Sequence, residues 1–178
     1  SDEDFYPDSR VREISEDPEN DSRLERVEEE NYFFKLSEFT KSQTAARLGI
    51  DNTPPEEVIP KLTFLCSQIL EPLREKIDKP IIVTSGYRSA KLCEAIGSNA
   101  NSQHCKGEAV DIEALGMSTL NLAEMIINHF DFDQCILECY TPGDMNSGWV
   151  HVSLTSGENR KEVLTYSKEK GYAKGLVI

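Results

Sequence analysis

The order of its secondary-structure patterns is the feature that most limits how this chain can fold. Helical patterns come first, at residues 34–50 and 52–77, and strand patterns follow in "PIIVTSGYRS", "GEAVDIEA", "FDQCILECY" and "GWVHVSL". The amphipathic segment "STLNLAEMIINHF" predicts one helix among these strands, and "KEVLTY" is a candidate last strand. Helices followed by strands are typical of α+β domains. We therefore predict N-terminal helices packed on a small, mostly antiparallel sheet.

The second helical pattern is the strongest in the chain. Apolar residues recur in it at intervals of three and four, at Val58, Leu62, Leu65, Ile69 and Leu73. Asn52 or Thr53 is the predicted N-cap residue. Pro60 and Pro72 lie inside the pattern and predict a break or a kink in the helix.

The acidic residues are concentrated at the start of the chain. Residues 1–30 contain 13 Asp or Glu and four Arg, so they carry −9 of the total net charge of −13. Such a composition buries too little apolar surface to offset the entropy lost on ordering. We predict a flexible acidic arm at residues 1–31, which could dock on a basic protein surface, and a compact domain at residues 32–178. The negative charge argues against binding of nucleic acid.

The cysteines and the apolar runs exclude several classes of protein. Five cysteines form no CxxC pair, and an odd number argues against a disulfide framework. We therefore expect free, reduced and mostly buried thiols. No stretch approaches 18 apolar residues, so no membrane span is predicted, and no signal-peptide pattern is visible.

Four polar residues stand inside or beside the strand patterns. His104 and Asp111 flank the turn into "GEAVDIEA", His151 lies between two valines, and Glu138 follows two large apolar residues. Two imidazoles and a carboxylate make a suitable ligand set for zinc, and a further carboxylate can act as a base. The spacing alone favours ordinary structural roles, because the stronger HExxH motif is absent. A metal site is the alternative interpretation.

Four motifs, taken together and in order, resemble a known family. They are "TSGYRS" at 84–89, "NSQHCKGEAVDI" at 101–112, "FDQCILE" at 132–138 and "GWVHVSL" at 148–154. This combination is similar to the zinc D-Ala-D-Ala carboxypeptidases and the phage L-alanyl-D-glutamate endolysins, whose fold hedgehog domains share. The likeness covers about residues 33–165. The chain most resembles a subgroup found in bacteriophages and gut bacteria.

The resemblance implies a role for each matching residue. His104, Asp111 and His151 correspond to the ligands of one zinc ion per chain. Arg88 corresponds to the arginine that binds and polarises the substrate, although a strand-end salt bridge is its ordinary interpretation. The resemblance also implies a substrate-binding surface that includes Tyr87, Ser102 and Trp149, with core packing as the equal alternative for Trp149.

The catalytic base is the point where the sequence departs from many relatives. Those relatives have Glu three residues before the last zinc-binding His, a position that Gly148 occupies here. The resemblance then points to Glu138 on the preceding strand, with Asp144 as a weaker alternative. We expect Asp133 to shape the site or to hold the second nitrogen of a ligand histidine.

The resulting hypothesis is a zinc metallopeptidase that hydrolyses D-alanyl or related stem-peptide bonds of bacterial peptidoglycan. It would act at the bacterial cell wall, in the periplasm, as a carboxypeptidase or an endopeptidase, and a phage-encoded or virion-associated protein fits the same resemblance. The alternative is a non-catalytic zinc-containing binding module, or a structural part of a phage particle, with the same fold.

Overall fold

The computed structural model describes residues 32–178, so the predicted acidic arm lies outside the described residues. Two short helices come first, α1 at Leu36–Thr40 and α2 at Gln43–Leu48. Ser42 caps α2 by accepting a hydrogen bond from the Ala45 amide, and Gly49 ends it in the left-handed conformation. The single helix predicted at residues 34–50 is therefore two helices.

The strongest helical pattern forms one continuous helical segment. A 3₁₀ turn at Glu56–Val58 leads into α3 at Ile59–Leu65, a π-helical turn at Cys66–Leu70 and α4 at Glu71–Ile77. Pro60 lies in the first turn of α3, where a missing N–H costs little. Pro72 follows the π-helical turn, a common way for a helix to absorb a local irregularity. The prolines are accommodated, and the helix does not break.

The predicted N-cap of this segment was wrong. Pro55 is the residue before the first turn, and it offers no side-chain hydrogen bond. Asn52 instead donates from Nδ2 to the carbonyl oxygens of Thr40 and Tyr87, at 2.8 and 3.0 Å, and accepts from the Ser89 amide at 2.8 Å. Asn52 therefore ties the end of α1 to the loop that carries Arg88.

Six strands form one sheet in the described part of the chain. They are β1 at Ile81–Ser85, β2 at Ala109–Ala114, β3 at Gln134–Glu138, β4 at Trp149–Ser153, β5 at Glu162–Ser167 and β6 at Gly171–Lys174. Their order in the sheet is β1-β2-β4-β3-β5-β6, and every neighbouring pair is antiparallel except β3 and β5. The predicted α+β class with a mostly antiparallel sheet is confirmed.

One face of the sheet is covered by the helices. Side chains on that face are fully buried, among them Val110, Ile112, Cys135, Leu137, Val150 and Val152. The helix α6 at Thr119–His129, predicted from its amphipathic pattern, packs on this face through Leu122, Ala123 and Ile126. The segment α3–α4 belongs to the same apolar core. The opposite face of the sheet is left for polar side chains.

Three elements had no sequence prediction: helix α5 at Ala90–Ala95, a 3₁₀ turn at Gln103–Lys106, and β6. Helix α5 and the 3₁₀ turn are joined by a disulfide between Cys93 and Cys105, so the expectation of free thiols was wrong for these two. The other three cysteines, Cys66, Cys135 and Cys139, are free. In residues 32–178 no helix combines the length and apolar character needed to cross a membrane.

Candidate metal centre and active site

Cross-strand pairing brings two of the predicted ligands side by side. Asp111 on β2 lies directly opposite His151 on β4, and His151 lies opposite Ile136 on β3. Residues opposite each other in a sheet project from the same face, which here is the face away from the helices. His104 reaches this face from the 3₁₀ turn that precedes β2.

The three side chains meet at one oxygen atom. Asp111 Oδ1 lies 3.3 Å from His104 Nε2 and 3.0 Å from His151 Nδ1. All three residues are buried. Burial by itself raises the pKa of Asp111, but the hydrogen bonds and positive charge of the two histidines outweigh this and hold that pKa well below its usual range. Asp111 is therefore an ionised carboxylate facing two imidazoles.

The loop between β1 and α5 and the turn at His104 hold each other in place. His104 Nδ1 lies 2.8 Å from the carbonyl oxygen of Gly86, and the Arg88 amide donates to the carbonyl oxygen of His104 at 3.1 Å. A side chain at position 86 does not fit, because a Cβ there would lie 2.3 Å from the Phe39 carbonyl oxygen. Gly86 thus allows β1 to approach α1 closely while its carbonyl orients the His104 ring.

This arrangement fits a divalent zinc ion. A carbonyl oxygen can only accept, so Nδ1 of His104 donates to Gly86, and Nε2 is the nitrogen that faces the Asp111 carboxylate. A proton on Nε2 joins the ring to the carboxylate, and a zinc ion can replace that proton and bind both atoms. Ligand atoms that share a tetrahedral zinc lie roughly 3.3 Å apart, since Zn–N and Zn–O bonds are about 2.0–2.2 Å long. The ligand atoms of His104, Asp111 and His151 all lie within 4.8 Å of one another.

Glu138 lies at the end of β3 on the same face of the sheet. It is two residues beyond Ile136, the residue paired with His151, and it is itself paired with Trp149. Burial raises the pKa of Glu138 and the charge of Asp111 raises it further, while His151, the Trp149 indole and Arg88 lower it. The Trp149 Nε1 atom is buried and makes no hydrogen bond of standard geometry among the described residues. Burial is therefore the dominant effect on the pKa of Glu138, and it makes this carboxyl more basic than usual.

Gly148 explains why no carboxylate side chain stands three residues before His151, the position that the resemblance suggested for an acid. Its φ angle is +69°, and a Cβ there would lie 2.2 Å from the Glu138 carbonyl oxygen and 2.7 Å from the carbonyl carbon of Cys139. Any side chain at residue 148 would push the ends of β3 and β4 apart. The carboxylate near the metal ligands comes instead from Glu138, on the strand that Gly148 approaches.

Arg88 forms a salt bridge, as expected for an ordinary structural arginine at the end of a strand. Its partner, Asp111, is a predicted metal ligand. Its Nη2 lies 3.5 Å from Asp111 Oδ2, and its Nε donates to Ser85 Oγ at 3.1 Å. The Asp111 carboxylate thus faces Arg88 with one oxygen and the two histidines with the other. The guanidinium is held from two sides and still reaches solvent.

Six of the predicted site residues open on one cavity of about 720 Å³. Its lining includes the three ligand residues with Arg88, Ser102 and Glu138. Ser102 also accepts a hydrogen bond from the His104 amide at 3.2 Å, which starts the 3₁₀ turn. Trp149 adjoins Glu138 without lining the cavity. Tyr87 is buried in the core and lines a separate cavity of about 590 Å³, and Asp144 lies on an exposed loop.

The expectation that Asp133 holds a histidine nitrogen was wrong, because Gly86 holds the second nitrogen of His104. Asp133 instead accepts hydrogen bonds from Arg160, the closest at 2.8 Å, and from Gln103 Nε2 at 3.0 Å. It lines the cavity and braces the residue next to His104, so its expected role in shaping the site agrees with its position.

Several residues that line the cavity were not predicted from the sequence, among them Gln103, Arg160 and Tyr172. Gln103 directly precedes His104 within the quoted motif, which was the one available signal. Arg160 and Tyr172 come from the segment after β4, where no motif was recognised. Their approach depends on the pairing of β3 with β5, which leaves no mark in the linear sequence.

Comparison with known proteins agrees with this geometry. No match was found among curated proteins. The family model described as Peptidase M15 matches residues 32–153, which include all three predicted ligands, Arg88 and Glu138. The matched segment covers more than half of the chain, and it begins where the described structure begins. The chain therefore belongs to the zinc-dependent Peptidase M15 family.

Proposed function

We propose that this peptidase uses zinc held by His104, Asp111 and His151 to hydrolyse D-alanyl or related stem-peptide bonds of bacterial peptidoglycan. One observation carries the proposal. A buried His-Asp-His cluster, an arginine and a carboxyl with a raised pKa line the same cavity on the open face of the sheet. Clustering of perturbed titratable groups in a cleft is typical of active sites.

Glu138 is the general acid and base of the proposed reaction. Its carboxylate accepts a proton from the attacking water, and the resulting acid donates that proton to the amine that leaves. Its raised pKa suits both tasks, because the carboxylate is a stronger base and the acid remains available nearer to neutral pH.

Arg88 binds and orients the substrate carbonyl. Its guanidinium is fixed by Ser85 and Asp111, so its remaining N–H groups point in a defined direction at little cost in entropy. Donors fixed in this way stabilise negative charge that develops on a carbonyl oxygen during attack. Zinc, when bound, supplies a Lewis acid that polarises the carbonyl and makes water more acidic.

The Cys93–Cys105 disulfide supports action outside the reducing cytosol. Disulfides persist in the periplasm and in extracellular space, and they are rare in cytosolic proteins. The bond joins α5 to the turn that carries His104, so an oxidising compartment would preserve the ligand geometry. This supports the cell wall as the place of action.

The testing experiment pairs metal content with cleavage. Purified protein and the variant Glu138→Gln are loaded with zinc, and each is incubated with peptidoglycan while released D-Ala and stem-peptide fragments are measured. We expect one zinc per chain in both proteins and a loss of about 10²–10⁴-fold in rate for the variant, the range for removing a general acid–base. Release of D-Ala alone would indicate a carboxypeptidase, and release of fragments an endopeptidase.

Glu113→Gln is the matched control. Glu113 lies on β2, is partly buried, has a pKa that burial raises, and does not line the cavity. It should leave the rate unchanged. One zinc per chain without cleavage by the unmodified protein would favour the non-catalytic binding module. A chain that takes up no zinc would overturn the proposal.

A further inference from the structure

The hairpin formed by β5 and β6 lies outside the matched family segment and yet borders the candidate active site. The family match ends at residue 153, whereas β5 is Glu162–Ser167 and β6 is Gly171–Lys174. The hairpin joins the sheet because β5 pairs with β3, the strand that carries Glu138. The hairpin therefore contributes to the wall of the cavity from beyond the matched segment.

The register of the strands places two tyrosines in line with Glu138. Glu138 is opposite Tyr166 on β5, and Tyr166 is opposite Tyr172 on β6. Since opposite residues share a face, both rings project from the face that bears Asp111 and His151. The ring centroids lie 4.7 Å apart with the planes tilted by 38°, so each ring supports the other.

The hairpin holds the ring pair firmly. The Cys139 amide donates to the Tyr166 carbonyl oxygen at 2.8 Å, which continues the pairing of β3 and β5 past Glu138. Thr165 Oγ1 donates to the Gly175 carbonyl oxygen at 2.7 Å and accepts from the Val177 amide at 3.0 Å. The side chains are thus presented by ordered strands and not by a loose tail.

Tyr172 is the exposed member of the pair and the one that lines the cavity. Its relative exposure is 63%, unusually open for an aromatic ring on a strand beside buried ligands. Partial burial raises the pKa of its phenol, and the charges of Glu138 and Asp111 raise it further, which agrees with its place beside the reactive groups. A rigid aromatic ring next to a few polar groups is typical of ligand-binding surfaces.

We propose that Tyr172, supported by Tyr166, forms an aromatic subsite that packs against a C–H-bearing face of the substrate beside the reacting bond. The inference rests on the proposed function and adds a specificity-determining residue outside the family segment. Two parts of a peptidoglycan fragment offer such a face: the peptide itself and the sugar attached to its amino end.

The test measures binding separately from catalysis. Zinc-loaded Glu138→Gln protein is titrated by calorimetry with a synthetic stem pentapeptide, with and without N-acetylmuramic acid at its amino end. Tyr172→Ala in this background should weaken binding about tenfold, the size expected for losing part of one buried aromatic side chain. Tyr172→Phe should stay within about twofold, because the ring and its packing remain.

The controls separate the subsite from folding and from the proposed function. Tyr32→Ala removes a tyrosine that lines neither cavity and should not change the dissociation constants. Zinc content and Tm of Tyr172→Ala should equal those of its parent. If Tyr172→Ala weakens the binding of both probes, the subsite contacts the peptide. If it weakens the binding of the muramyl probe alone, the subsite contacts the sugar.

Three results would overturn the inference. If Tyr172→Ala binds both probes as tightly as its parent, the aromatic subsite is refuted, whereas the proposed peptidase function is not. If Tyr172→Phe binds the probes as weakly as Tyr172→Ala does, the contribution of Tyr172 comes from its hydroxyl group and not from ring packing. A parent protein that binds neither probe, and an unmodified protein that cleaves no peptidoglycan, would refute the proposed function itself.

Discussion

At the scale of single residues, the position of Glu138, the proposed base, depends on a glycine. Gly148 adopts a φ of +69° and would bring any Cβ to 2.2 Å from the Glu138 carbonyl oxygen. Position 148, where the resemblance suggested an acid, is therefore closed to a side chain. Glu138 and Gly148 form a pair in which the small residue permits the close strand ends that hold the carboxyl.

We predict that moving the carboxylate to residue 148 does not rescue catalysis. In the Glu138→Gln background, Gly148→Glu should leave cleavage of peptidoglycan at the level of the single variant. It should also lower the free energy of unfolding by at least about 2 kcal/mol, because positive φ and backbone overlap both cost energy. Denaturant unfolding and release of fragments measure the two effects.

Gly143→Glu is the control for this prediction. Gly143 also has a positive φ, 91°, but a Cβ there meets no atom within 4 Å. Its variant should show only the conformational cost, so it should be less destabilised than Gly148→Glu. Recovery of activity by the Glu138→Gln and Gly148→Glu double variant would contradict our account of the base.

Site residues could be predicted where they stand in a sequence motif, and not where strand pairing alone brings them to the site. His104 and Asp111 stand in one motif and His151 in another, and the structure brings all three together. Tyr172 could not be found, because its approach to Glu138 runs through two strand pairings. Tyr87 was expected at the substrate surface, and the structure places it in the core because its backbone lies beside Phe39.

At the scale of elements, the 3₁₀ turn at Gln103–Lys106 is the least regular of the segments that carry a predicted metal ligand. Only four residues long, it cannot be held by its own hydrogen bonds. It is held by Ser102 at its start, by the Gly86 carbonyl through His104, and by the disulfide from Cys105 to Cys93 on α5. The disulfide therefore braces the turn that carries His104, a predicted metal ligand.

We predict that removing this disulfide weakens both the fold and metal binding. The double variant Cys93→Ser and Cys105→Ser should lose about 2–4 kcal/mol of stability, the usual effect of a bond that closes a short loop. Zinc affinity should fall as well, because ordering the turn must then be driven by binding. Thermal unfolding and competition with a chelator measure these effects.

Cys139→Ser provides the comparison, since Cys139 is free and partly exposed. It should change neither Tm nor zinc affinity, with or without a reducing agent. Reducing agent should shift the unmodified protein toward the double variant. Equal Tm values for the oxidised and reduced protein would show that the bond does not brace the turn.

Helices and strands whose apolar residues recur with a clear period were predicted well, and elements without such a pattern were not. Strands β1 to β4 and helix α6 follow their apolar patterns closely, because one face of each packs on the core. Helix α5 and strand β6 are short, and their stability comes from tertiary partners. Pro72 misled the reading of the long helix, since a π-helical turn is not visible in a pattern of period 3.6.

At the scale of the whole molecule, the sheet separates two functions. Its helix-covered face supplies the apolar core, and its open face carries the predicted metal ligands, Glu138 and the tyrosines of the hairpin. The core residues of the described structure all lie between Phe34 and Leu154. The predicted boundary near residue 32 precedes the first of these residues, and both the boundary and the arm stay predictions.

We predict that residues 32–178 fold and function without residues 1–31. Deleting the acidic segment should leave Tm, zinc content and peptidoglycan cleavage unchanged, because every candidate site residue lies between 87 and 172. The deletion removes −9 of the net charge of −13, so the shortened protein should leave an anion exchanger at lower salt. Any retention on polylysine-coated resin should be salt-sensitive and lost with the segment. Lower Tm in the shortened protein would show instead that residues 1–31 pack on the domain, and unchanged retention would remove the segment as a docking arm.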